Sequence, residues 1–199
     1  MPGPPRRYNS PSPMSTPVGV RTKLEYDDLA HVPEDGNTYE ILDGDLHVTP
    51  SPSPVHQRVA KRLQRQLEDH FEARGLGEVF NAPLDVILST MDVVEPDLIV
   101  VADPAQVSGR AVEGAPLMLV EVLSPSSIQY DRIVKATRYA ALGVPHYWIV
   151  DLESRAIECY RASAGKKYEL VVRADAPAPL EHPDWPDLRI DTAAIWYRT

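Results

Sequence analysis

Residues 117–123 read Leu-Met-Leu-Val-Glu-Val-Leu, six apolar side chains around one carboxylate. A short, nearly continuous apolar run fits a strand at the centre of a sheet covered on both faces. That requires layers on either side, which narrows the chain to α/β or α+β architecture with a central mixed sheet flanked by helices. Side chains alternate across a strand, so Leu117, Leu119, Glu121 and Leu123 share one face and Met118, Val120 and Val122 take the other. A carboxylate buried without a partner is costly. Glu121 therefore calls for a partner: a cation, a shared proton or a metal ion.

The flanking segments supply the remaining layers. Thr22 followed by Glu25 has the spacing of a capping box and predicts a short helix. Asp43-Gly44 lies between two alternating segments and predicts a hairpin. Val59, Leu63, Leu67 and Phe71 recur every four residues among charged positions, so His56 to Arg74 is expected to be a helix with one packed face, ended by Gly75 and Gly77. "EVFNAPLDVIL" predicts one or two strands split at Pro83, and Asp97 to Val101 a further strand. "YDRIVKATRYAALG" predicts a helix stopped by Gly143. Strands follow at "HYWIVD", "AIECYR" and "KYELVV", then a Pro-rich piece and a short terminal helix. Residues 1–21, dense in Pro and Ser, read as a disordered tail, and 22–199 as one domain.

Antiparallel pairing of the 97–101 and 117–123 strands sets the start of one beside the end of the other. Asp97 and Glu121 then meet at one sheet edge. Two such carboxylates either share a proton or hold a cation between them. Mg2+ prefers oxygen ligands, and Asp97, Glu121 and the Val122 carbonyl form such a set. A salt bridge from Glu121 to an Arg or Lys at the core edge explains the same position. The next helix carries Asp131, Lys135 and Tyr139 on one face. A connection that packs back on the sheet aims that face at Glu121, where Lys135 can donate to a phosphate or help deprotonate a water; a solvated Asp131–Lys135 pair is the plain alternative. His56 at a helix start, Ser124 at a strand exit and Tyr139 are candidate substrate contacts, with packing and capping as their structural readings.

"EPDLIVV", "LMLVEVLSPSS", "YDRIVKATRYAALGVPHYWIVD" and "YEILDGDLHVTPSPSPVHQRV" together resemble the Uma2 family, of the PD-(D/E)XK superfamily. The resemblance covers roughly Thr22 to Arg161 and implies a restriction-endonuclease-like fold. It also implies metal-dependent hydrolysis of DNA phosphodiester bonds with Mg2+ or Mn2+. It maps the first acid to Asp97, behind Pro96, and the second to Glu121. The lysine usually found two residues after that acid is Leu123 here, and Lys135 matches members in which it has moved to the next helix. Glu40 matches a further acidic position.

The net charge of −9 excludes a protein that holds nucleic acid by bulk charge alone. A nuclease of this composition needs a metal or local basic groups to meet a polyanion. The same charge suits the rival reading, a silent nuclease fold that binds nucleic acid or a protein partner. A single cysteine, Cys159, rules out an internal disulfide and a cysteine zinc cluster and fits a cytoplasmic setting. No apolar run approaches the ~18 residues of a membrane span. A homodimer is expected from the two strands of a duplex.

Overall fold

The computed structural model describes residues 23–196. The expected Pro-rich tail lies outside the described residues. Tyr26–His31 forms a 3-10 helix. Its capping box sits three residues later than expected: Glu25 is the N-cap, and its backbone N–H donates to Asp28 Oδ2 at 2.8 Å.

β1 (Thr38–Leu42) and β2 (Asp45–Thr49) form the expected hairpin. Both turn residues, Asp43 and Gly44, have positive φ, at 50° and 72°, as a two-residue turn matched to strand twist requires. α1 (Pro54–Phe71) starts at Ser53, whose hydroxyl accepts the His56 N–H at 3.2 Å. Its buried stripe is the four-residue repeat plus His56 and His70.

β3 (Glu78–Asn81), β6 (Leu98–Val101), β8 (Met118–Val122), β9 (His146–Asp151), β10 (Ala156–Ala162) and β11 (Tyr168–Asp175) form a six-stranded sheet. Its order is β11-β10-β9-β8-β6-β3. Within this sheet only β8 and β9 pair in parallel, joined by a helical crossover as parallel neighbours need. All five residues of β8 are buried, as its apolar run demands. A second sheet has the order β2-β1-β5-β4-β7, with β4 at Val86–Ser89, β5 at Asp92–Val94 and β7 at Val112–Glu113. β12 (Leu180–His182) and β13 (Trp185–Ile190) form a hairpin where the Pro-rich piece was expected, before α3 (Thr192–Trp196).

The alternation along β8 divides the core. Met118, Val120 and Val122 pack with Val59, Leu63, Leu67 and Phe71 of α1 and with Leu180, Leu188 and Ile190. Leu119 and Leu123 pack on the opposite side with Tyr139, Tyr147 and Ile149. Leu117 precedes the strand proper and turns toward the α1 side, so it does not share the Leu119 face as expected.

Candidate active site

The expected antiparallel pairing is present: Leu98 faces Val120, Ile99 faces Leu119 and Val100 faces Met118. One further step of that register sets Asp97 across from Glu121. Glu121 shares the face of Leu119, toward the crossover helix. That helix opens as a π turn over Tyr130–Lys135 and continues as α2 over Ala136–Ala141. The expected helix is therefore present, with a wider first turn. Such turns recur at functional sites because the wider winding re-aims side chains.

Within this turn Asp131 and Lys135 are both buried while Ile133 is 63% exposed. Lys135 Nζ lies 2.9 Å from Glu121 Oε1, 2.9 Å from Glu40 Oε1 and 3.7 Å from Asp131 Oδ1. Three carboxylates thus surround one ammonium, and all four groups are at least nine-tenths buried. Glu40 comes from β1, where its Oε1 also accepts the Glu95 N–H at 2.9 Å. The sheets converge here: one supplies Glu121, the other Glu40, and the crossover supplies the cation.

The charge imbalance appears in the titration of the cluster. Burial raises Glu121 well above the usual glutamate range; Lys135 opposes this, and Asp131, Asp97 and Glu40 reinforce it. Burial lowers Lys135, but Glu121, Glu40 and Asp131 outweigh it and hold the amine well above its ordinary value. Lys135 is thus a fixed cation, and the surplus lies on the acidic side.

The other expected residues fall into two groups. Asp97 Oδ2 accepts the Val122 N–H at 2.7 Å and lies 3.2 Å from His56 Nε2. His56 is buried, which lowers its pKa, but Asp97 and the Val122 carbonyl raise it above the ordinary histidine value overall. Its ring faces the first acid rather than standing free at a helix N-terminus. Ser124 lines the cleft beside Ser126 and Ser127 and bonds to both hydroxyls at 3.0 Å. Tyr139 is the displaced member. It is wholly buried, stands behind Glu121 and donates to Glu121 Oε1 at 3.1 Å. It supports the acid instead of facing the cleft, because α2 packs its ring into the core against Tyr147.

Asp131 and Glu95 also line the cleft. The spacing to Lys135 announced Asp131 only as an ion-pair partner, and Glu95, two residues before Asp97, had no sequence signal apart from its charge. The cleft encloses about 250 Å3 and is bounded by Glu40, Asp97, Glu121, Asp131, Lys135, His56 and the Pro50–Ser53 segment.

Two carboxylates, a backbone carbonyl and water are a normal set for Mg2+, which keeps several waters and needs few protein ligands. The surplus of buried carboxylates fits such an ion. The cleft is not a closed cage: among the described residues, the only trio of ligand atoms within 4.8 Å of one another lies elsewhere, at His146, His182 and Asp184.

A profile of the Uma2 family, described as "Putative restriction endonuclease", matches residues 24–193. The chain belongs to the Uma2 family. A "putative nuclease belonging to DUF820" from Anabaena variabilis shares the fold, with a TM-score of 0.68 and 17% identity over 87% of this chain and 97% of that one. The "Uncharacterized protein slr1290" of Synechocystis sp. is 32% identical over 103 residues, 51% of this chain and 54% of that protein. The match therefore spans about half the length of that curated relative. Among the described residues of this Uma2 chain, no helix is long and apolar enough to cross a membrane.

Proposed function

We propose that this Uma2 chain is a metal-dependent endonuclease that hydrolyses DNA phosphodiester bonds, with Asp97, Glu121, Glu40 and Lys135 as its working groups. The observation that carries the reading is the buried Lys135 ammonium, 2.9 Å from both Glu40 and Glu121 in a cleft that Asp97 also lines. Asp97, Glu121 and the Val122 carbonyl would hold Mg2+ or Mn2+, which when bound neutralises phosphate charge and makes a bound water more acidic.

Lys135 stays protonated, so its part is to donate hydrogen bonds and offset the negative charge that grows on the phosphate oxygens. It is not the base. Glu40 and Glu121 anchor the ammonium from two sheets, which fixes its position before substrate arrives. His56 and the Val122 N–H hold the Asp97 carboxylate in one orientation. Ser124 at the rim has a hydroxyl to offer a neighbouring phosphate. The buried Cys159 thiol fits a cytoplasmic protein, and a homodimer would bring two clefts to a duplex.

The test is cleavage of supercoiled plasmid with Mg2+ or Mn2+. Wild type should nick it, and Asp97→Ala and Glu121→Ala should each lose at least a hundredfold in rate. Equal cutting by these variants would remove both acids from the reaction.

A further inference from the structure

A second cluster stands away from this cleft. His146 opens β9, His182 closes β12, and Asp184 lies in the turn before β13. His146 pairs with Met118, three residues short of the Glu121–Ile149 pair, which is roughly 10 Å along the strand. One ring nitrogen of each histidine and one Asp184 carboxylate oxygen lie within 4.8 Å of one another. The histidines are 8% and 2% exposed.

Hydrogen bonding leaves this cluster unfinished. His146 Nδ1 is buried without a partner, a condition that is costly and rare in folded chains. His146 Nδ1 points at Asp184 Oδ2 from 3.9 Å, too far for a hydrogen bond. The other carboxylate oxygen, Asp184 Oδ1, accepts from Arg161 at 2.5 Å. His182 Nδ1 accepts the Asp184 backbone N–H at 3.1 Å, so in the neutral ring its lone pair is on Nδ1 and its proton on Nε2. Burial lowers the pKa of His146 and takes His182 down to about 4.

We propose that His146, His182 and Asp184 form a structural site for a zinc-type divalent cation that clips the β12–β13 hairpin to the six-stranded sheet. Bonds of about 2.0–2.1 Å to such an ion draw its ligand atoms closer than the 3.9 Å contact seen here. The required movement is a turn of the Asp184 side chain, which is a quarter exposed. An ion that takes the His182 Nδ1 lone pair frees the Asp184 N–H, and water can hydrate it at this exposed turn. Arg161 shares the Asp184 charge, so the affinity should be modest and a fourth position is left for water. Two imidazoles and one carboxylate favour Zn2+ or Co2+ over Mg2+, the reverse of the all-oxygen cleft. The proposal stands whether or not the cleft cuts DNA.

The test uses the full chain, stripped with EDTA, dialysed, and titrated with ZnCl2 in excess Mg2+ by calorimetry. One Zn2+ should bind per chain and raise the melting temperature. Trp185 lies 4.4 and 4.5 Å from the two histidine rings, so Co2+ should quench its fluorescence. His146→Gln and Asp184→Ala should each weaken Zn2+ binding at least tenfold, while Glu121→Gln leaves it unchanged. Asp184 is exposed, so its variant keeps the comparison valid should His146→Gln misfold. No uptake by wild type, or uptake that survives both substitutions, overturns the site.

Discussion

Glu121 and Lys135 face each other at 2.9 Å, yet their removal should have opposite consequences for stability. Burial and the neighbouring Asp131, Asp97 and Glu40 disfavour a charge on Glu121, with Lys135 opposing them. Glu121→Gln keeps the shape, accepts from Tyr139 and spares the site that disfavoured charge, so the fold should be as stable as wild type or more so. Lys135→Met takes the one ammonium from among Glu40, Glu121 and Asp131. Leaving buried carboxylates unpaired should cost about 3 kcal/mol. Urea unfolding at pH 7 measures both, and plasmid nicking should be lost in both. If Glu121→Gln destabilised the fold as much as Lys135→Met, the excess of negative charge would be fictitious. Much at this scale was open to inspection in the sequence: a carboxylate inside an apolar run has to be answered, and strand pairing says where Asp97 falls. What the sequence could not carry was direction. Tyr139 shares the Lys135 face by spacing, but packing against Tyr147 turns its hydroxyl to the back of Glu121. The Asp97–His56 contact joins two segments whose approach no local pattern records.

The elements must hold two sheets and a crossover in register for these groups to meet. Arg138 on α2 does this through two bonds to Asp92 of β5, at 2.6 and 2.7 Å. Asp92 is wholly buried and also accepts the Asp43 N–H at 2.9 Å, so the hairpin that carries Glu40 is tied to the helix behind Lys135. Arg138→Met should cost about 2 kcal/mol by leaving that carboxylate short of donors, as read by urea unfolding. It should also weaken activity without touching substrate. A change no larger than an exposed substitution would show the tie to be slack. A pH effect belongs to α1. Burial and the Arg74 guanidinium beside it lower the pKa of His70. The folded state therefore prefers the neutral ring, and stability is lost as pH falls below about 6.5. His70→Gln should flatten that loss, measured as the slope of melting temperature against pH between the two proteins. An unchanged slope would mean that His70 protonates freely in the fold. The long elements were legible because their periods are: four-residue steps on α1, the Asp43-Gly44 turn, the apolar run of β8. β5, β7 and β12 have only two or three residues each, too few for a period, and they appear only through the strands they pair with.

The molecule as a whole carries a net charge of −9 and buries further acids in its cleft, so a phosphodiester backbone approaches against repulsion. Lys135 is already committed to three carboxylates and cannot offset that charge alone. On the proposed function, the divalent ion therefore has to contribute to binding as well as to cleavage. The Lys135→Met protein should bind too weakly and fold too poorly to test this, whereas Glu40→Gln retains both Asp97 and Glu121. Fluorescence anisotropy of a labelled duplex, cooled to suppress turnover, should give at least tenfold tighter binding to Glu40→Gln in Mg2+ than in EDTA. The tightening should vanish when Asp97→Asn is added, because that change removes one of the two carboxylates and leaves the rest of the surface unaltered. The salt dependence should be shallow, since few basic side chains release counterions from the DNA. Equal affinity in Mg2+ and EDTA would place DNA recognition on a surface outside the cleft, and the acids around Lys135 would then be explained as a structural ion cluster.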